Sequence, residues 1–171
     1  MDTGPICRQI SCDVGEKETY GELYERLSRL NIEAMDLLLE DLHSDNLKFT
    51  PQQGKATYAP LISSKDAAID WDWPAHRVER HIRAFCPDPG AYTFINSERV
   101  KIYRASVVKD AAPAGEVLKV TPENLHIACG EDAISIEEIQ PAGARRMEVK
   151  SFLAGRLNIQ EGENVISDEL A

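Results

Sequence analysis

Residues 91–108, AYTFINSERVKIYRASVV, decide the fold of the second half of the chain. Two runs rich in β-branched and aromatic residues flank Asn96-Ser97, which is typical of two strands joined by a tight turn. Further short runs follow, separated by turn residues. Five short strands favour a closed or nearly closed β-barrel, and the OB-like kind is the expected one. The predicted strands cover residues 91–95, 99–108, 115–120, 125–129 and 133–140.

Two helices flank the predicted barrel. Asp72 is expected to cap the first one, and Pro74 fits its first turn. A last short helix is predicted over residues 147–157. The apolar face of the first helix comprises Val78, Ile82 and Phe85.

The front of the chain has a different pattern. A capping box, Thr19-x-x-Glu22, opens a long amphipathic helix that ends at His43. Residues 6–12 have apolar positions on both faces of a predicted strand, as a sheet covered on two sides requires. Residues 44–64 hold two prolines and a glycine without a sustained period, which indicates an extended linker. The chain is therefore predicted to be α+β, in three parts at residues 1–45, 46–68 and 69–171.

Charge is distributed unevenly. The formal net charge of −10 argues against a general nucleic-acid binder, because affinity for phosphates depends on Lys and Arg. Residues 1–45 carry four basic and eleven acidic side chains, whereas residues 73–109 carry seven basic and three acidic ones. The acidity is concentrated at the front, and the middle of the chain is suited to meet an anion.

The four cysteines include no Cys-x-x-Cys pair, so reduced thiols are expected and no metal site is predicted. No apolar run approaches the ~20 residues that cross a bilayer, and no signal peptide is recognisable. We therefore expect a cytoplasmic protein with no membrane partner. His76 and His81 are expected to be surface histidines without a catalytic role.

Several blocks carry a family resemblance that runs from Asp2 almost to the end of the chain. In their order they resemble the C-terminal part of methionyl-tRNA formyltransferase, from its site loop through its linker to its closing segment. The blocks are Asp2-Thr3-Gly4-Pro5, Thr57-Tyr58-Ala59-Pro60 with Lys65, Ile69-Asp70-Trp71, Ile82-Arg83-Ala84-Phe85, Gln140-Pro141-Ala142-Gly143, Arg145-Arg146-Met147 and Phe152-Leu153-x-Gly155-Arg156.

The resemblance implies that residues 1–45 are the remnant strand and helix of a Rossmann-like formyltransferase domain. It also implies transfer of a formyl group from 10-formyltetrahydrofolate to methionine on initiator tRNA, for translation initiation. The family's chemistry uses an Asn, a His and an Asp, and Asp2 matches that Asp. The chain has no counterpart of the Asn, the His or the folate pocket. We therefore expect the lone chain to be inactive and to hold no cofactor, with 10-formyltetrahydrofolate as co-substrate of the complete enzyme.

The resemblance further implies that the linker and barrel bind initiator methionyl-tRNA through basic groups, largely by backbone and shape. Strand alternation places Arg99, Lys101 and Tyr103 on one face. The opposite face is expected to carry Val100, Ile102 and Arg104. The predicted tRNA-binding residues are Lys55, Lys65, Arg77, Arg80, Arg83, Arg99, Lys101, Arg145 and Arg146.

Alternative functions stay open. One is a non-catalytic module that binds tRNA or a protein, and another is a fragment of a nucleotide-sugar formyltransferase. The closing blocks around Arg145-Arg146-Met147 favour the tRNA enzyme over the nucleotide-sugar enzyme. If the front helix docks on a separate catalytic half, the two chains would reconstitute an enzyme, whereas an exposed apolar stripe would predict self-association.

Overall fold

The computed structural model describes residues 3–155 and 159–167. The chain divides into two compact units, Met1–Leu61 and Ile62–Ala171, and the division falls inside the linker predicted at residues 46–68. The helices are α1 (Tyr20–His43), α2 (Ala75–Ala84) and α3 (Val149–Gly155), and a 3₁₀ turn covers Ser64–Ala67. The strands are β1 (Ala91–Ile95), β2 (Glu98–Val108), β3 (Val117–Thr121), β4 (Asn124–Ala128), β5 (Ala133–Pro141) and β6 (Met147–Glu148).

The first unit is built on α1, which starts at the predicted capping box. The Thr19 backbone N–H donates to the Glu22 carboxylate at 2.9 Å, and the Glu22 N–H donates to the Thr19 hydroxyl at 3.4 Å. No residue of α1 is buried, and the side chains of Tyr24 and Ile32 are 60% and 65% exposed. Along the apolar stripe of this helix, Leu27 and Leu42 are 44% and 57% exposed, whereas Leu23, Leu30 and Leu38 are partly buried.

The strand predicted at residues 6–12 is not formed. Ile6 and Thr50 exchange two backbone hydrogen bonds of 2.8 and 2.9 Å as an isolated bridge, and Arg8 forms an ion pair with Asp41. A strand with apolar side chains on both faces needs paired neighbours, and the described residues of this unit pair with it at that one point.

An antiparallel sheet of six strands organises the second unit. Its order is β1-β2-β5-β4-β3, with β6 pairing β5. Asn96 and Ser97 connect β1 to β2 with φ of 50° and 62°, the left-handed backbone that tight hairpins use. Each of the five predicted strands lies within two residues of its expected bounds. The mixed helix-and-sheet prediction is therefore confirmed at this level.

The two edges of the sheet are joined by isolated bridges rather than by a continuous ladder. Ile166 pairs with Phe94 of β1, and Asn164 pairs with Glu116, next to β3. The end strands β1 and β3 do not pair with each other in this strand order, so the sheet is open. The predicted OB-like barrel is therefore not established by the strand pairing.

The core of the second unit lies between the sheet and the two helices. Val78 and Ile82 of α2 pack in one buried cluster with Val100 and Ile102 of β2 and with Phe152 and Leu153 of α3. Helix α3 begins two residues later than predicted because Met147 pairs with Ile139 and Glu148 with Glu138 as β6. Residues 156 and 157 of that predicted helix lie outside the described residues.

The cap predicted for α2 is wrong. Pro74, not Asp72, is the N-cap residue, and no side chain caps the helix. The Gly130 N–H donates to the carbonyls of Trp71 and Trp73 at 2.9 and 3.0 Å. Those two bonds hold residues 71–73 in a turn against Gly130, so the helix begins only after Pro74.

The close approach at Gly130 predicts the effect of a single methyl group. A Cβ on Gly130 would lie 2.0 Å from the Asp72 carbonyl oxygen, so Gly130→Ala should destabilise the second unit by about 2 kcal/mol or more. Gly155→Ala is the matched control, since a Cβ there meets nothing within 4 Å. Urea unfolding followed by tryptophan fluorescence measures this unit, because it contains both tryptophans. Equal stability of the two variants would contradict the close contact.

Candidate functional site

The outer face of β2 carries the most coherent group of predicted site residues. Val100 and Ile102 are 1% and 0% exposed in the core, so Arg99 and Lys101 project from the opposite side of the strand. This is the alternation that the sequence predicted. The prediction for Arg104 is wrong, because register shifts between Ile102 and Ala105 turn it outward. It pairs there with Glu137 at 2.8 Å.

Two tyrosines on this outer face are covered by arginines. The guanidinium carbon of Arg99 lies 3.6 Å from the ring centroid of Tyr92, and that of Arg146 lies 4.3 Å from the ring centroid of Tyr103. Both rings are 7% exposed. Stacking of this kind holds each guanidinium over a ring and leaves no open ring face for a base.

The turn after β5 is tied to the same face. The Tyr103 hydroxyl donates to Gln140 Oε1 at 2.7 Å, and Gln140 Nε2 donates to the Ala144 carbonyl at 2.9 Å. Arg146 donates two hydrogen bonds of 2.6 Å to the Glu138 carboxylate. These bonds from Arg146 lower the pKa of Glu138, whereas burial raises the pKa of Tyr103. The network fixes the backbone on both sides of Arg145.

The other predicted basic residues lie elsewhere. Arg77 and Arg80 are exposed on α2, with the Arg77 guanidinium carbon 3.9 Å from the Trp73 ring centroid. Arg83 donates to Glu79 at 2.7 Å. Lys65 is exposed in the 3₁₀ turn of the second unit. Lys55 is exposed in the first unit, and the predicted catalytic residue Asp2 lies outside the described residues.

The structure separates the basic residues of α2 from those of β2. Helix α2 packs its buried side chains against the core side of β2, whereas Arg99 and Lys101 project from the opposite side of that strand. Their sequence proximity therefore does not produce one patch. The candidate site is the outer face of β2 and β5, where Arg99 and Arg146 stack on tyrosines and Arg146 binds Glu138.

His81 is not the surface residue that was predicted. Its ring is half-buried between Trp73 and Phe85, with centroid distances of 5.2 and 4.6 Å. Its Nε2 is buried without a hydrogen-bond partner among the described residues. Burial lowers the pKa of this imidazole. In the sequence, His81 stands four residues before Phe85, and this spacing places both side chains on the same face of a helix.

Metal and thiol chemistry have no support in the described part of the chain. Within it, no group of three or more His, Cys, Asp or Glu side chains is arranged to hold a metal ion. Cys7, Cys12 and Cys129 are free thiols, and burial raises the pKa of Cys129 to about 12. No helix among residues 3–155 and 159–167 has the length and apolar character to cross a membrane.

Comparison with known proteins connects this fold to a family. The model of the formyl transferase C-terminal domain matches residues 61–157. A methionyl-tRNA formyltransferase of Neisseria meningitidis serogroup C / serotype 2a is 38% identical over 91% of this chain and 51% of its own length. The corresponding protein of Geobacter sulfurreducens is 35% identical over 91% of this chain and 49% of its own length.

Solved structures show the same fold at low identity. A variant of HypX from Aquifex aeolicus matches with a TM-score of 0.69 and 18% identity, over 89% of this chain and 28% of that protein. An N-formyltransferase from Helicobacter canadensis, in complex with folinic acid and dTDP-3-aminofucose, matches with a TM-score of 0.58 and 15% identity. It covers 86% of this chain and 52% of that protein.

The chain belongs to the formyl transferase C-terminal domain family. It corresponds to the C-terminal portion of methionyl-tRNA formyltransferases, as the sequence blocks predicted, and this favours that interpretation over the alternatives. The chain spans about half the length of the curated relatives it matches.

The buried imidazole of His81 predicts a pH dependence of stability. Its folded pKa is lowered, so the unfolded state binds a proton more readily. The contribution of neutral His81 to the free energy of unfolding is therefore fully present above its unfolded pKa of about 6.5. It is lost as pH falls below that value. His126, whose pKa is also lowered by burial, adds a loss in the same direction.

Urea unfolding of the second unit at pH 8 and at pH 5.5 measures this effect. The fall in the free energy of unfolding between the two should be smaller in His81→Gln than in the parent. His126→Gln should reduce it by a separate, additive amount, because the two histidines lie on different elements, α2 and β4. An unchanged fall in His81→Gln would refute the assignment to the buried imidazole.

Proposed function

We propose that this chain provides the tRNA-binding C-terminal portion of a methionyl-tRNA formyltransferase. The complete enzyme would transfer a formyl group from 10-formyltetrahydrofolate to methionine on the initiator tRNA, and would act in the cytoplasm. The observation that carries the RNA-binding role is the outer face of β2. Arg99 and Lys101 stand there without a carboxylate within 4.0 Å among the described residues, in a chain whose net charge is −10.

The electrostatic argument for that face is local. A chain with this net charge repels a polyanion at long range, and salt screens that repulsion beyond roughly 10 Å. At contact distance the unpaired cations determine the affinity, because each phosphate that they neutralise releases counterions. The proposed tRNA-binding residues remain Lys55, Lys65, Arg77, Arg80, Arg83, Arg99, Lys101, Arg145 and Arg146.

The domain layout is part of the same proposal. Residues 1–45 would belong to the catalytic domain, residues 46–68 would form the linker, and residues 69–171 would form the OB-like domain. Support for the OB-like assignment comes from the segment Glu163–Ile166, whose backbone bonds reach residues at both edges of the sheet. A partly open barrel is a recognised form of that fold.

For the chemistry, we assign Asp2 the role of a carboxylate that orients and stabilises a neighbouring imidazole. Attack of an amine on the formyl carbon builds an oxyanion, which needs hydrogen-bond donors that a carboxylate cannot provide. The Asn and His of the family would supply that part of the site from a catalytic half. The exposed apolar side chains of α1 would then lie against that half, or against a second copy of this chain.

Formyl transfer to methionyl initiator tRNA tests the proposal. The assay compares this chain alone, the N-terminal half of the Neisseria meningitidis relative alone, and their mixture. We expect product from the mixture only, and less product when the mixture contains Asp2→Asn, because the amide carries no charge to stabilise the imidazolium. Glu16→Gln, an acidic residue in the same unit, is the control for a general loss of charge.

Each other outcome has a distinct meaning. Activity from the lone chain would refute the need for a separate Asn and His. Absence of activity in every arm, with tRNA binding intact, would favour the non-catalytic binding module. A concentration-dependent dimer that blocks activity in the mixture would indicate self-association through α1.

A further inference from the structure

We propose that α1 pairs with α1 of a second copy of this chain, in an antiparallel dimer that covers the apolar side chains exposed on this helix. The inference goes beyond the proposed function and does not depend on it, because it concerns an association surface of the first unit and no chemistry.

The exposed apolar side chains of α1 form one continuous stripe. At about 100° per residue they fall within roughly 120° of the helix circumference. Leu23, Leu30 and Leu38 lie along one edge of this stripe and are partly buried. The open stripe itself is 44–60% exposed and comprises Tyr20, Tyr24, Leu27, Met35, Leu39 and Leu42.

The open stripe is large enough to hold two copies together. At roughly 100 Å² of exposed surface for each of its side chains, two copies would bury about 1,200 Å² in total, the lower end of stable interfaces. A helix of 24 residues provides this contact along its whole length. We therefore expect dissociation in the micromolar range, since interfaces of this size are seldom tighter without further contacts.

The spacing of the stripe is suited to a two-fold axis at Asn31. Leu27 and Met35 stand four residues before and after Asn31, and Tyr20 and Leu42 stand eleven residues before and after it. An antiparallel pair centred there places Leu27 opposite the partner's Met35 and Tyr20 opposite the partner's Leu42. The two Asn31 side chains meet at the axis, where a polar pair fixes the register at a cost in stability.

Two charges beside the stripe favour the antiparallel orientation. Arg29 and Asp36 are seven residues apart and therefore lie on the same side of the helix. In an antiparallel pair centred at Asn31, Arg29 lies about one turn from the partner's Asp36, and the contact occurs twice by symmetry. A parallel pair in register would instead set each of these charges against its own kind. Within its own chain Arg29 lies 3.8 Å from Glu25, and both side chains are more than 70% exposed, so this pair contributes little.

The charge of α1 disfavours other kinds of partner. The helix carries six acidic and two basic side chains. Helices that lie on membrane surfaces have polar faces rich in Lys and Arg, and phosphate backbones are bound by the same residues. In the antiparallel dimer most of the acidic side chains lie on the far side of each helix, away from the partner. A second copy therefore fits the open stripe better than a lipid surface or a nucleic acid does.

Sedimentation velocity of the full chain between about 1 and 200 μM tests the pairing, and a monomer–dimer equilibrium is expected. Met35→Glu buries a carboxylate in the open stripe and should weaken the dimer at least about tenfold. Leu61→Glu is the matched control, because Leu61 is 96% exposed in the same unit but lies outside α1. It adds the same charge and should change the dissociation constant less than about twofold.

A variant that tightens the dimer separates pairing from a defect in folding. Asn31→Leu replaces the polar pair at the axis with an apolar one and should strengthen association about tenfold. A loss of structure in α1 would not produce a tighter dimer. Far-UV circular dichroism checks that each variant keeps its helices.

A charge exchange tests the orientation. Arg29→Glu should weaken the dimer roughly three- to tenfold, because it sets two carboxylates against each other at both symmetric contacts. Adding Asp36→Arg to the same chain should restore most of the affinity. In a parallel dimer position 29 faces position 29, so the second substitution would not restore it, and the antiparallel arrangement would be refuted.

The outcomes separate the dimer from the proposed function. A chain that stays monomeric at the highest concentration would overturn the inference, and so would equal weakening by Met35→Glu and Leu61→Glu. If that monomer binds the N-terminal half of the Neisseria meningitidis relative, or vesicles of phosphatidylglycerol, the open stripe serves that partner instead. A dimer that Met35→Glu disrupts, in a chain that gives no formyl transfer in the mixture, would support the inference and count against the proposed function.

Discussion

The second unit depends on the backbone pairing of its C-terminal segment with residues at both edges of the sheet. Phe94 and Ile166 exchange hydrogen bonds of 2.9 and 3.1 Å, and the Val117 N–H donates to the Glu163 carbonyl at 2.8 Å. The buried Thr93 hydroxyl joins this segment to the core, since it accepts from the Trp71 indole and donates to the Ile166 carbonyl. Without the segment, backbone groups at both edges would lose partners, at about 1–3 kcal/mol for each buried one.

This arrangement also determines where a ligand can bind. Helices α2 and α3 fill the inner side of the sheet with apolar side chains, so the inner side is not available to a polar partner. The outer face of β2 and β5 is left to carry cations, because Tyr92 and Phe94 of β1 are buried in a second apolar cluster with Ala67. The register shifts in β2 near Tyr103 turn one more side chain outward, because they place Arg104 on the exposed side of the strand. Packing inside the sheet and the proposed RNA contact outside it therefore use the same alternation of β2.

The sequence correctly predicted those elements that depend on neighbouring residues. The strands, the Asn96-Ser97 turn and the capping box of α1 each depend on a few neighbouring residues, and all of them are present. The wrong predictions concern distant partners: the strand at residues 6–12 lacked neighbours, and Asp72 was held against Gly130. The ion pair of Arg146 with Glu138 forms only after β5 turns back, so the sequence did not separate paired from unpaired cations. Asp2 and the assignment of tRNA-binding residues stay predictions.

The two units differ in how their apolar surface is covered, and this bears on how function is divided. The second unit buries its own core, whereas α1 is 24 residues long with no buried residue. Most helical stability in proteins comes from packing of an apolar face, and the apolar face of α1 is covered only in part, with Leu23, Leu30 and Leu38 partly buried. RNA binding placed on the second unit needs no such cover. The proposed formyl transfer needs a partner surface over α1 if that surface also supplies the Asn and the His. On this argument, the proposed RNA binding and the proposed catalysis are separable, and the proposal assigns RNA binding to the unit that buries its own core.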